Sequence, residues 1–160
     1  MRRRTMIGAL AGLGVVSLAS ARAQGVADIP MRFAEALSAH DIERFGALFA
    51  ETYVNHQASA AAPPPPAGTA PKKATVAFFA ARLAGLPDLK VSIEASLAEG
   101  DKVAASFVYE GTHQGVYFGV APTGKRLRFT SCDIFRIANG LIAEHWGMGD
   151  IAGILAQLKN

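Results

Sequence analysis

Arg126-Leu127-Arg128-Phe129-Thr130-Ser131-Cys132-Asp133-Ile134-Phe135-Arg136-Ile137-Ala138, then Asn139-Gly140, then Leu141-Ile142-Ala143-Glu144-His145-Trp146-Gly147-Met148, is the stretch that decides the fold. Side chains on a strand alternate between two faces. In the first run the odd positions are Leu127, Phe129, Ser131, Asp133, Phe135 and Ile137. The even positions are Arg126, Arg128, Thr130, Cys132, Ile134 and Arg136. One face is mainly apolar and the other mainly polar, as a half-buried strand requires, and Asn-Gly is a strong hairpin signal. Asp133 lies in the middle of the apolar face with Ser131 beside it. A carboxylate withdrawn from water favours its neutral form unless it is paired, which suits a general acid or base near neutral pH. The plainer alternative is a structural aspartate hydrogen-bonded to a neighbouring strand or an arginine.

The partner of Asp133 depends on the hairpin loop. A three-residue loop, Ala138-Asn139-Gly140, sets Asp133 opposite His145 on the same inner face. A two-residue Asn139-Gly140 turn sets it opposite Trp146, whose ring would cover the carboxylate, and turns His145 away. Both loops suit these residues. Upstream, Val103, Ala105, Phe107 and Tyr109 form one face of another strand, and parity carries that face on to His113. His56 follows Tyr53 and Asn55 at the mouth of the helical part, whereas His40, between two helices, reads as a solvated surface residue. Three histidines and an aspartate are metal-ligand types, but no tight spacing such as His-x-His joins them, so no metal is expected. Cys132 falls on the face away from Asp133 and reads as packing.

Outward from the hairpin the period changes. Ile29, Phe33, Ala36 and Leu37 recur at helical spacing, and Asp41 can cap a short helix with Ile42, Phe45, Leu48 and Phe49 on one side. A third helix is predicted over Lys72–Ala84 with Val76, Phe79 and Leu83 inward, stopped by Gly85. Val91, Ile93, Ala95 and Leu97 alternate as a strand, and Glu99-Gly100-Asp101 turns into the strand at Val103. Residues 111–124 are loop-rich, and a last helix over Ile151–Leu158 takes Asp150 as its N-cap. Residues 58–71 hold Ala60 to Ala62, Pro63 to Pro66, Gly68 and Pro71, the composition of an extended loop. Helices, then an antiparallel meander, then a closing helix make an α+β domain.

The chain has 160 residues, with 16 Lys and Arg against 13 Asp and Glu, a formal charge of +3. Arg2, Arg3 and Arg4 open it, an uncharged stretch runs from Thr5 to Ala21, and Ala21-Arg22-Ala23 closes that stretch. Basic head, apolar middle and small-x-small end are the parts of a bacterial export signal, here with a twin-arginine-like order. Cleavage after Ala23 leaves residues 24–160 as a single domain. It removes four arginines and no acid, so 12 basic residues face 13 acidic ones and the formal charge becomes −1. The basic excess is thus an address rather than a nucleic-acid footprint, and no membrane contact is expected after cleavage. The expected location is the periplasm or the exterior. With Cys132 as its one cysteine, the domain cannot form an internal disulfide and must stand on its core.

Several segments, in this order, resemble the SnoaL-like polyketide cyclases, also called ester cyclases, of the nuclear transport factor 2-like superfamily. They are Tyr53-Val54-Asn55-His56, Leu86-Pro87-Asp88-Leu89, Glu99-Gly100-Asp101-Lys102-Val103, Gly111-Thr112-His113-Gln114-Gly115 and Pro122-Thr123-Gly124-Lys125. The most specific is Asp133-Ile134-Phe135-Arg136-Ile137 followed by Glu144-His145-Trp146. The resemblance spans about Phe33 to Leu158. It implies a cone: a curved antiparallel sheet packed against N-terminal helices, with a short C-terminal helix and an apolar pocket. It further implies aldol-type ring closure of a small hydrophobic carbonyl compound without metal or organic cofactor. Asp133 would be the acid/base, with His145 and His113 orienting it or stabilising an enolate oxygen. Tyr53, Asn55, His56, Phe107, Tyr109, Ser131 and Trp146 would line the pocket. Similar proteins pair through the open sheet face, so a homo-oligomer, dimer or tetramer, is expected. A periplasmic binding domain without chemistry, using Asp133 as an anchor, is the alternative.

Overall fold

The computed structural model describes residues 23–57 and 64–159. The stretch expected to be an export signal, apart from Ala23, and residues 58–63 of the alanine- and proline-rich loop lie outside the described residues. The elements, in order, are α1 (Ile29–Ser38), α2 (Ile42–Gly46), β1 (Phe49–Asn55), α3 (Pro71–Gly85), β2 (Lys90–Glu99), β3 (Lys102–Thr112), β4 (Arg126–Ala138), β5 (Leu141–Gly149) and α4 (Ile151–Lys159). The fold is α+β, an open five-stranded sheet in the order β1-β5-β4-β3-β2 with helices on one face. Among the described residues no helix is long and apolar enough to cross a membrane.

The sheet is mixed rather than wholly antiparallel. β2, β3, β4 and β5 form the expected meander, but β1 joins the edge parallel to β5, with Asn55 paired to His145. The second helix ends at Gly46, so Phe49 opens β1 instead of extending that helix. Asp41 caps α2 by accepting a hydrogen bond from the Arg44 N–H at 2.8 Å, and Asp150 caps α4 through the Gly153 N–H at 2.8 Å. Both caps satisfy backbone donors that a helix start leaves unpaired.

α1 lies across the concave face and plugs it with Phe33. That ring meets Phe45, Phe79, Phe107 and Phe135 at centroid distances of 5.0, 5.4, 5.0 and 5.5 Å. Edge-on and tilted contacts of this kind add to the apolar burial that holds helices to sheet. The inward set of β3, Val103, Ala105, Phe107 and Tyr109, is buried as parity requires. β2 departs from its alternation: a bulge between Ile93 and Ala95 precedes Leu97, which is 80% exposed.

The β4–β5 hairpin resolves the register in a third way. Ala138 pairs with Leu141 across a two-residue turn, with φ of +52° at Asn139 and +76° at Gly140. Positive φ at both central positions is what a type I′ turn needs, and Asn-Gly tolerates it. Ile137 then pairs with Ile142 but Arg136 with Glu144, so Ala143 is an extra, bulged residue. That bulge moves the register by one. Asp133 therefore pairs with Gly147, not with His145 or Trp146. A one-residue shift exchanges the faces of a strand. His145 consequently ends on the inner face with Asp133, and Trp146 on the outer face beside Ile134.

Candidate functional site

β4 delivers Asp133 to the helix-covered face of the sheet, opposite Gly147, and β5 delivers His145 two pairs away on the same face. Nε2 of His145 and Oδ1 of Asp133 lie 2.7 Å apart, each residue 6% exposed. A β-carbon on Gly147 would collide with both of those atoms. Glycine at this place in the strand is what leaves room for the diagonal hydrogen bond. The other carboxylate oxygen, Oδ2, accepts the Ser131 hydroxyl at 2.5 Å.

From there a polar chain runs both ways. Ser131 Oγ is 3.4 Å from the Tyr109 hydroxyl. On the far side, Nδ1 of His145 is 3.2 Å from the Tyr53 hydroxyl, which in turn accepts from Thr75 Oγ1 at 3.5 Å. An ionised carboxylate accepts only, so Nε2 of His145 donates to Asp133 and Nδ1 receives the Tyr53 O–H. Phe135 stacks on the imidazole at 5.1 Å and fixes its plane. Burial pushes the Tyr53 hydroxyl up to about 12, the Thr75 hydrogen bond pulls against this, and Asp133 adds to the rise. Tyr53 thus stays a protonated donor at every ordinary pH.

The other residues named from sequence fall elsewhere. His113 is on the inner face and fully buried, but it lies eight residues along β3 from Ala105, the partner of Asp133. At the rise of an extended strand that is roughly 26 Å, beyond reach of the carboxylate. Its Nδ1 accepts the Thr123 N–H at 3.2 Å and meets Thr123 Oγ1 at 2.9 Å, while Nε2 is sealed without a partner. Phe107 is core, packed on Phe33. Asn55 is exposed and turns the end of β1 by accepting the Gln57 N–H at 3.0 Å.

His56 and Trp146 stack on each other at 4.5 Å on the outer side. There Glu144 holds His56 Nε2 at 2.8 Å and Arg136 Nε at 2.5 Å. The hydrogen bonds from His56 and Arg136 keep the Glu144 carboxyl below its usual range. This outer network does not touch Asp133. His40, rather than being solvated, is half-buried, with Nε2 donating to the Leu89 carbonyl at 3.3 Å. Cys132 is exposed on the outer face.

One inner residue was not anticipated. Arg82 on α3 is 4% exposed, and its guanidinium lies over Tyr109, Phe79, Phe78 and Phe129 at 4.7 to 5.1 Å. Its position three residues after Phe79 and one before Leu83 marks it as core-facing on a helix of 3.6 residues per turn. A groove of about 530 Å³ lies between α2 and α3, lined by Ile42, Gly46, Val76 and Ala77 with Lys72 and Glu51 at its rim. It does not include Asp133. Among the described residues, no three His, Cys, Asp or Glu side chains gather as a metal set.

The sequence model for SnoaL-like polyketide cyclases matches residues 27–158. No functionally curated protein matches the chain in sequence. Among solved structures, IdmH from Streptomyces antibioticus, described as a candidate polyketide cyclase, is 30% identical, with a TM-score of 0.69 over 83% of this chain and 97% of that one. TsrD from Streptomyces laurentii is 25% identical, with a TM-score of 0.71 over 84% of this chain and 95% of that one. AclR from Streptomyces galilaeus, described as a candidate hydroxylase, shares the fold at 24% identity and a TM-score of 0.71, over 86% of this chain and 82% of that one.

Proposed function

The chain belongs to the SnoaL-like polyketide cyclase family, and from that premise we propose that it is an exported, cofactor-independent enzyme of cyclase type. Its substrate is a small hydrophobic carbonyl compound, and Asp133 moves a proton at the carbon beside that carbonyl. The observation that carries this reading is the buried pair of Asp133 and His145 at 2.7 Å, backed by Tyr53 on one side and Ser131 on the other. Neighbours with definite donor roles hold the carboxylate in one orientation, as an acid/base group needs. When Asp133 takes a proton, the Ser131 hydroxyl can turn towards the Tyr109 oxygen, and His145 keeps its hydrogen bond to the remaining lone pairs. No step requires a metal or an organic cofactor. Export is supported by Arg2 to Arg4, the uncharged stretch that follows, and Ala21-Arg22-Ala23.

A second reading has its own support. Both oxygens of Asp133 already accept hydrogen bonds, so the same carboxylate could anchor a ligand without reacting. Proton exchange separates the two. The purified protein, incubated with 2-acetylnaphthalene in deuterium oxide, should speed deuterium entry at the methyl group as followed by proton NMR. Asp133→Asn should remove that acceleration, a loss on the order of 10²–10⁴ for an acid/base group, while far-UV circular dichroism stays unchanged. Exchange that survives in the variant would rule out Asp133 as the base.

The same proposal includes self-association through the outer sheet face. Leu97 and Met148 are 80% and 79% exposed there, and Ile134 is also exposed. Sedimentation of the mature chain reads this directly.

A further inference from the structure

Arg82 is a buried cation without a counter-ion. Among the described residues, no carboxylate lies within 4.0 Å of its guanidinium, although eight other charged or His–carboxylate pairs form across the molecule. Its one hydrogen bond runs from Nε to the Tyr117 hydroxyl at 3.0 Å. Both terminal NH₂ groups donate to no described residue. The guanidinium is therefore held by four aromatic rings and one phenol, 4% exposed, with no hydrogen bond from its two terminal groups to any described residue.

Burying a charge is costly unless it is paired, and aromatic faces offset only part of that cost. Tyr109, the ring at 4.7 Å, also connects to Asp133 through Ser131. Phe129, under the same guanidinium, lies four residues along β4 from Asp133, roughly 13 Å of strand rise before either side chain reaches inward. The cation, from α3, and the carboxylate, from β4, thus address one helix–sheet interior from its two sides.

We infer that Arg82 receives an anionic oxygen of the ligand, either a carboxylate or the enolate formed when Asp133 takes a proton, and so selects for acidic carbonyl compounds. The inference rests on the reading of this interior as the ligand site and assigns a residue that reading does not use. A planar guanidinium with two free NH₂ groups can hold such an oxygen pair bidentately, which neither buried histidine can do. As Asp133 gains the proton, the negative charge moves to the carbonyl oxygen, where Arg82 balances it.

The test uses the mature protein and two probes. By titration calorimetry, 2-naphthoate should bind roughly tenfold or more tightly than the neutral 2-naphthamide. Arg82→Gln should erase that preference, and Arg82→Lys should keep part of it. In the second arm, benzoylacetone bound to the protein should show its enolate absorbance at lower pH than in buffer, and Arg82→Gln should cancel the shift. The first result identifies a carboxylate as the anionic group, the second an enolate. Should neither depend on Arg82, or neither probe bind at millimolar concentration, the inference is wrong. Should Arg82→Gln fail to fold, the wild-type preference and Arg82→Lys still decide. Asp133→Asn separates the two claims, since it should leave naphthoate binding intact while removing proton exchange.

Discussion

His145 and His113 share one face of one sheet, and both are buried, at 6% and 0% exposure. Their chemistry differs completely. His145 has a partner on each ring nitrogen, Asp133 on Nε2 and Tyr53 on Nδ1. His113 has Thr123 on Nδ1 and, among the described residues, nothing on Nε2. The first histidine lies in the middle of the sheet, where a neighbouring strand supplies a carboxylate. The second lies just past the end of β3, where it receives the 122–125 loop through Thr123 and through backbone bonds to Gly124 and Lys125 at 2.9 and 2.8 Å. Sharing a face does not make residues neighbours; the distance along the strand decides whether they meet. A histidine at the centre joins a proton path, and one at the rim ties a loop.

The contrast breaks most severely at Gly147. Replacing it by Ala puts a methyl group onto Oδ1 of Asp133 and Nε2 of His145. Either the pair separates or the strand shifts. Breaking a buried, hydrogen-bonded pair costs about 3–5 kcal/mol, which urea unfolding would read as a lower midpoint at an unchanged slope. Acid/base turnover should fall with it. An unaffected midpoint would mean that the Asp133–His145 contact contributes little to either property.

How far the sequence foretold this contrast depends on which residues carried the information. Strand parity was enough to find Asp133, because a carboxylate on an apolar face violates a period of two. It was also enough to place His113 inward, but not His145, whose face depends on the hairpin register that parity leaves open. The bulge at Ala143 left no comparable mark: it adds one residue to a strand whose alternation stays plausible in either register. The parallel edge pairing of β1 is a tertiary event that its seven residues do not encode. Leu97 alternates like a buried residue, but the bulge between Ile93 and Ala95 turns it to the outer face beside Ala104, so it is exposed. Arg82 was the reverse case. The apolar positions Val76, Phe79 and Leu83 mark the inner face of the helix, and a charged residue on that face gives no apolar signal of its own. Gly147 could have been suspected as a glycine inside a strand, although only the coordinates show what occupies its missing side chain.

Alkaline pH sharpens the contrast at the next level of effect. The Tyr53 hydroxyl, pushed up to about 12 from 10.0 by burial, keeps its proton in the folded state after the unfolded chain has lost it. Between those values the folded state binds more protons, so stability falls as pH rises through that window and is fully present below pH 10. The shift corresponds to roughly 3 kcal/mol. Tyr109, buried against Ser131 and Arg82, is raised as well and contributes at the alkaline end. Tyr53→Phe should therefore flatten the decline between pH 10 and 12 without removing it, as followed by urea midpoints across that range. At neutral pH the same change should cost about 1 kcal/mol for the hydrogen bond to His145. An unchanged alkaline slope would place the titrating hydroxyl elsewhere.

The smallest effect belongs to His113. Asn offers an oxygen close to the place of Nδ1, so His113→Asn should keep an acceptor for the Thr123 N–H, and it removes the sealed Nε2 that has no partner. Two contributions then oppose each other. Losing half of the imidazole leaves a small void in the core and the amide brings N–H donors of its own, while the unpaired Nε2 N–H, worth about 1–3 kcal/mol against folding, disappears. The net change should stay within about 1 kcal/mol, far below that for Gly147→Ala, and proton exchange at Asp133 should be untouched. A loss of several kcal/mol at His113 would show that Nε2 has a function in the folded state that its surroundings do not reveal. A loss of exchange would show that the rim and the centre of the sheet are coupled through the 113–125 loop. Either result would mean that the two histidines form one site, although some 26 Å of strand lies between His113 and the level of Asp133.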